Sequence, residues 1–238
     1  MEYSFAESQN IKSVIDNIIK NIGSDKDIGI HLSDFEILQV LGKGGYSFVA
    51  KVKSKINLRI YAMKKTDLSL ISNPKELKYY INESLFMKKL DHPNVCKCYS
   101  SFQENNFLYM IIDFMDNGDL MQFLDANWKM YGKINEDKLW DILKQCLEGL
   151  VYLHSLGLIH RDIKPTNILM NSNGEIKFSD FNISVTTNIE KAKQFTEDNE
   201  KEELLINNMT KIGSGQYKAP EIQNLSFLLS FFRKIVNQ

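Results

Sequence analysis

Ile11, Val14, Ile15, Ile18, Ile19 and Ile22 recur at helical spacing, and Gly23 closes the run. The pattern predicts an amphipathic helix within residues 1–32 that lies on the main domain, with a partner-docking helix as the sharper alternative. From Asp34 the period shortens. Residues 35–41, 48–53 and 59–65 alternate or carry β-formers, with Gly or Asn between them, and read as strands. Residues 76–90 read as a helix ended by Asp-His-Pro, and 96–103 and 107–114 as two further strands. Beyond Gly118 the spacing turns helical over 119–131 and 136–155, before short strands at 168–170 and 176–178. Residues 186–208 are rich in Glu, Lys, Asn and Asp without apolar periodicity, which predicts a loop. Five strands and one helix followed by a mostly helical half describe a two-lobed α+β protein with a crevice between the lobes.

Composition narrows the partners. The 238 residues are 43% hydrophobic and 25% charged, as in ordinary globular proteins, and the formal net charge is -1. Acids interleave with the lysines nearly everywhere, so no basic face for nucleic acid is expected. Cys96, Cys98 and Cys146 are too few for a disulfide scaffold. The first two bracket Lys97 and would face one side of a strand; all three read as reduced thiols of a cytoplasmic protein, with the nucleus as an alternative. No secretory or transit signal is visible, Glu2 breaks the myristoylation pattern, and the apolar run 225–232 is far shorter than the ~20 residues of a bilayer span. No membrane contact is expected.

Three clusters carry candidate chemistry. Gly42-Lys43-Gly44-Gly45-Tyr46-Ser47-Phe48-Val49 lies between two predicted strands, where glycines let backbone N–H groups approach phosphates; a tight turn is the plainer explanation. Lys64 in Tyr61-Ala62-Met63-Lys64 could reach phosphates if Glu83 on the following helix braced it, although single strand lysines are usually surface. His160-Arg161-Asp162-Ile163-Lys164-Pro165-Thr166-Asn167 gathers an acid, an amide and a cation in one loop; Asp180-Phe181-Asn182 and Ala219-Pro220-Glu221 follow.

In order, spacing and context these motifs match the protein-kinase signature, and the chain resembles the eukaryotic protein kinase family over about 35–221. The run from His160 to Leu169 and Gly213-Ser214-Gly215-Gln216-Tyr217 look most like NEK- or STE-type serine/threonine kinases. The resemblance implies a kinase domain over 33–221, with a small lobe at 33–115 and a large lobe at 116–221. It implies ATP and Mg²⁺ as cofactors, a protein substrate and an upstream kinase as partners. By the same resemblance, Leu41, Gly42, Gly44 and Val49 would cover ATP, and Val49, Ala62 and Leu169 would sandwich adenine. Ile112 would be the gatekeeper, and backbone groups of Asp113 and Met115 would meet the adenine edge. Asp119 would meet ribose or substrate. Lys64, braced by Glu83, would hold the α- and β-phosphates, and Asn167 and Asp180 would coordinate Mg²⁺. Asp162 would accept the substrate hydroxyl's proton while Lys164 steadied the γ-phosphate. Met87, Cys98, His160 and Phe181 would stack between lobes. Arg161 would bind a phosphate on the activation segment, with Thr210 as the phosphosite and an ordinary loop hydroxyl as the alternative.

The chain departs from the family at three places. Ser47 replaces the third glycine of the loop. Asn182 replaces the glycine after Asp180-Phe181, and asparagine is the substitute that best enters the left-handed region. Residues 222–238 lack the Asp-x-Trp pattern of the next family helix, so an incomplete helical lobe is expected, with an apolar face of 140–153 left in water. At ~25 cal/mol per Å², several hundred Å² of lost burial would rival a domain's ~5–15 kcal/mol. A non-catalytic kinase-like module and an incomplete chain are therefore the competing expectations to an active serine/threonine kinase.

Overall fold

The computed structural model describes residues 30–181, 184–186 and 217. The amphipathic run 11–22, Asn182, Thr210, Ala219-Pro220-Glu221 and the tail 222–238 lie outside the described residues. The described residues divide into two compact units, one running to Leu90 and resuming over Lys97–Phe114, the other holding Asp91–Cys96 and the described residues from Met115 onward.

The first unit is a five-stranded antiparallel sheet in the order β1-β2-β3-β5-β4, built from β1 (Phe35–Lys43), β2 (Ser47–Ser54), β3 (Ile60–Asp67), β4 (Cys98–Glu104) and β5 (Phe107–Ile112). One helix, α1 (Pro74–Lys89), is inserted between β3 and β4 and contacts β4. Alternation sets the faces: Ala50 and Val52 of β2 join Tyr61, Met63, Phe102, Tyr109 and Ile111 in one buried cluster. At its border Lys65 Nζ lies 3.6 Å from the centroid of the Phe107 ring. Strand β1 is bulged between Ile37 and Gln39 and again between Val40 and Gly42, leaving Leu38 and Leu41 as extra residues on an exposed edge. Cys96 departs from the strand expected of it. Strand β4 begins at Cys98, whereas Cys96 lies in the second unit and donates its N–H to Phe178 O at 2.8 Å. Both thiols are buried, and they do not share a strand face.

The second unit is built on α2 (Leu120–Tyr131) and α3 (Glu136–Ser155). Asp119 caps α2 by accepting from Gln122 N, and Gly132 ends it at φ 66°, a left-handed conformation suited to glycine. Asn135 caps α3, whose first turn carries Glu136 and Asp137 and whose last turn carries His154, as the helix dipole favours. Two small ladders pair β6 (Leu158–Ile159) with β9 (Val185–Thr186) and β7 (Ile168–Met170) with β8 (Ile176–Phe178). The first ladder is too short to leave a period in the sequence.

Helix α3 meets β8 at Gly149. A Cβ there would stand 2.9 Å from two carbons of the fully buried Phe178 ring and 3.2 Å from Asn94 Cβ. A glycine costs a helix interior about 1 kcal/mol, so its presence reports a close approach. Gly149→Val is expected to destabilise the fold by about 1–3 kcal/mol through overpacking, read as a lower urea midpoint at unchanged slope. An unchanged midpoint would show that Phe178 turns aside freely.

Ile142 and Leu153 of α3 are buried, while Trp140, Leu147 and Val151 on its other side are 58%, 53% and 69% exposed. The apolar face expected in water is thus narrower than 140–153. With His92, Leu143 and Tyr152 these side chains line a groove of about 580 Å³.

Candidate active site

The first unit gathers its candidate residues by register. Gly42 pairs with Val49, Val49 with Lys64, and Ala62 with Ile112. Cross-strand partners share a face, as do residues two apart, so Gly42, Val49, Ala62, Lys64 and Ile112 all lie on one side of the sheet. That side is opposite the buried cluster of Ala50, Val52 and Met63. Lys64 Nζ lies 2.6 and 2.7 Å from the two carboxylate oxygens of Glu83 on α1. Their side chains are 13% and 2% exposed, so the lysine is braced rather than free in solvent. At the hairpin Gly44 N donates to Ser47 O, and neither Gly42 nor Gly44 has a positive φ. Gly42 has nothing within 4 Å of where a Cβ would stand. The backbone therefore does not demand glycine there, and the open space above it suits the close approach of a ligand. Leu41 is a bulge residue with an exposed side chain. Asp113 N–H donates to Lys97 O, and its carboxylate accepts from Lys97 N and Tyr99 Oη. An adenine contact from Asp113 would therefore run through its carbonyl. Met87 and Cys98 are buried within this unit.

In the second unit a polar loop is wound around one carboxylate. Asp162 Oδ2 receives Lys164 Nζ at 2.6 Å and Asn167 Nδ2 at 2.9 Å, and Asn167 Nδ2 also donates to Asp162 O at 2.9 Å. Asp162 and Asn167 are buried. With Nδ2 committed to Asp162, Oδ1 is the atom through which Asn167 could coordinate a cation. Ser179 N and Oγ both donate to Asn167 O, which ties the residue just before Asp180 to this loop. An amide oxygen and the Asp180 carboxylate would together be a hard oxygen donor set, which suits Mg²⁺ completed by water and substrate phosphate. Among the described residues no three His, Cys, Asp or Glu side chains form a metal cluster of their own. Arg161 and Asp180 hold φ values of 69° and 65°, a region costly for non-glycine residues and concentrated at functional sites. Leu169 of β7 bridges Asp119, and Asn117 N and Gly118 O bond to Met170, so the chain following the buried Met115 runs alongside β7. The Asp119 carboxylate caps α2. The sequence does not mark Ser179, because a lone serine before an acid carries no signal.

His160 is structural. Its ring lies 4.7 Å from that of the buried Phe181, Nε2 is 2.9 Å from Ser179 O, and Nδ1 accepts from Asp162 N at 3.3 Å. An acceptor on one nitrogen and a donor on the other assign the neutral tautomer protonated at Nε2. Burial drives its pKa below the ordinary 6.5 against the opposing pull of the Ser179 hydrogen bond and nearby acids. The unfolded chain thus takes up a proton near pH 6.5 that the folded chain refuses. This stability is present above that pH and is lost as pH falls toward the lower folded value, by up to about 1.4 kcal/mol per pH unit. Urea midpoints of the wild type and His160→Phe should therefore converge between about pH 7.5 and pH 5.5. A gap independent of pH would mean that His160 does not titrate on unfolding.

Residues 35–226 match the family described as protein kinase domain. The chain is 36% identical over 148 residues to 3-phosphoinositide-dependent protein kinase 1 of Arabidopsis thaliana, covering 62% of this chain and 29% of that protein. It is 37% identical over 153 residues to serine/threonine-protein kinase CBK1 of Candida albicans, covering 64% and 20%. Against serine/threonine-protein kinase PKH2 of Saccharomyces cerevisiae it is 31% identical over 201 residues, covering 82% and 18%. The chain therefore spans less than a third of the length of each of these relatives.

Proposed function

We propose, since this chain belongs to the protein kinase domain family, that it transfers the γ-phosphate of ATP to serine or threonine hydroxyls of a protein. The observation that carries the reading is the buried Asp162, held by Lys164 and Asn167 in a loop tied through Ser179 to Asp180. Positioning and charge neutralisation dominate phosphoryl transfer, so the residues have defined tasks. Lys64, oriented by Glu83, holds the α- and β-phosphates. Asp162 orients the substrate hydroxyl and accepts its proton, and Lys164 steadies the γ-phosphate. Asn167 and Asp180 hold Mg²⁺, which when bound offsets negative charge on the phosphate oxygens.

Three finer points are part of the proposal. The NEK- or STE-type assignment rests on the sequence from His160 to Leu169 and on 213–217. Control by an upstream kinase at Thr210 rests on Arg161 beside Asp162. A cytoplasmic location rests on a cysteine count too low for a disulfide scaffold; burial pushes the Cys146 thiol up to about 11, so it stays a thiol.

Transfer of labelled phosphate from ATP to a generic basic protein tests the reading, with Asp162→Ala as the reference. Labelling by the wild type alone supports it; equal labelling by both sinks it. A thermal shift with Mg²⁺-ATP but no labelling by the wild type would favour the non-catalytic module, which Asn182 suggests.

A further inference from the structure

Strand β8 is three residues long and ends two residues before Asp180, yet it is held on both edges. Strand β7 pairs with one edge. Along the other, Phe178 N donates to Asn94 O and Cys96 N donates to Phe178 O. Side chains extend this second edge. Gln145 of α3 accepts Ile176 N at Oε1 (2.9 Å) and donates Nε2 to Gly174 O (3.1 Å). Asn94 Nδ2 donates to both Gln145 Oε1 and Ile176 O, each at 3.1 Å. Gly149, one turn beyond Gln145, lets α3 come close enough for these bonds to form. Two amides thus serve a backbone N–H and two backbone carbonyls of the 174–176 turn and strand. The sequence shows Asn94 only as part of a turn-like His-Pro-Asn and Gln145 only as a polar helix position.

We propose that Asn94 and Gln145 are positioning residues that keep β8 in register, so that Asp180 meets the same cation as Asn167. Resting on the function proposed above, the inference assigns part of the metal affinity to side chains that touch neither metal nor nucleotide. Outer partners of this kind typically govern 10–100-fold in metal affinity. Gln145→Ala removes its bonds to the strand at Ile176 and to the turn at Gly174, and Asn94→Ala removes the bridge between Ile176 and Gln145. Gln145→Glu keeps an acceptor for Ile176 N and Asn94 but cannot donate to Gly174 O, so an intermediate effect is expected.

The test measures Mn²⁺ binding to the full chain in the presence of ADP by electron paramagnetic resonance, with hydrogen exchange at the Ile176 amide as a second readout. Gln145→Ala and Asn94→Ala should weaken Mn²⁺ by about 10-fold or more, with faster exchange at Ile176 and unchanged binding of metal-free ADP. Lys144→Ala, at a neighbouring exposed position, should match the wild type. Should Asn94→Ala fail to fold, the Gln145→Glu and Gln145→Ala series decides the question through its graded metal affinity. Variants that exchange faster at Ile176 but bind Mn²⁺ like the wild type would overturn the inference alone. A wild type that binds no Mn²⁺ with ADP would overturn both it and the proposed function.

Discussion

Asp162→Asn is expected to slow phosphate transfer by about 10²–10⁴-fold, the range supplied by a positioned proton acceptor. The substitution is nearly isosteric. An amide oxygen in place of Oδ2 can still accept from Lys164 and Asn167, whose bonds to Asp162 measure 2.6 and 2.9 Å. The loop therefore stays closed, and the melting temperature should move by no more than a few degrees. What disappears is the charge and the basicity, so the loss should fall on kcat while the KM for ATP holds. Asp162→Ala removes the acceptor of Lys164 and one of the two acceptors of the Asn167 amide, leaving only the backbone carbonyl of residue 162, and should additionally weaken metal binding. Transfer by Asp162→Asn at the wild-type rate would take the proton acceptor away from this position.

Much of this arrangement is visible in the chain itself, for identifiable reasons. The sheet is legible because β2 and β3 alternate and because Gly and Asn interrupt them, so strand limits fall within a few residues of those expected. Lys64 and Glu83, nineteen positions apart, can be paired only through the family resemblance; nothing in their local spacing joins a strand to a helix. Asp162, Lys164 and Asn167 are near neighbours, so their convergence follows from one tight loop. Asp91–Cys96 is different. It sits between α1 and β4, with no shift in composition, yet belongs to the second unit because its backbone pairs with Phe178 more than eighty residues later. Long-range pairing of this kind leaves no periodic trace. The same reason hides β6, β9 and the amides of Asn94 and Gln145. His160, by contrast, stood within a recognisable motif, but its neutral state depends on burial, which the sequence does not display.

The largest stability effect is expected at Lys64. Replacing it by methionine keeps the apolar stem but removes the counter-charge of Glu83, whose side chain is 2% exposed. Breaking a buried pair from one side costs about 3–5 kcal/mol, roughly ten degrees of melting temperature for a chain this size. Transfer should also vanish, because the side-chain cation assigned to the α- and β-phosphates is gone. These two losses have separate causes, and a second substitution divides them. In Lys64→Met with Glu83→Leu no charge is left buried, and apolar replacement of a whole pair is often neutral or stabilising. The double variant should therefore recover most of the melting temperature while remaining inactive. A double-mutant cycle then yields a coupling energy of the two side chains that is large and favourable. Glu83→Gln adds the complementary case: the lysine persists, its brace is weakened, and activity should fall without disappearing. Were Lys64→Met to melt with the wild type, the 2.6 Å contact would contribute nothing in solution, and the lysine would have to find its place by the nucleotide's charge alone.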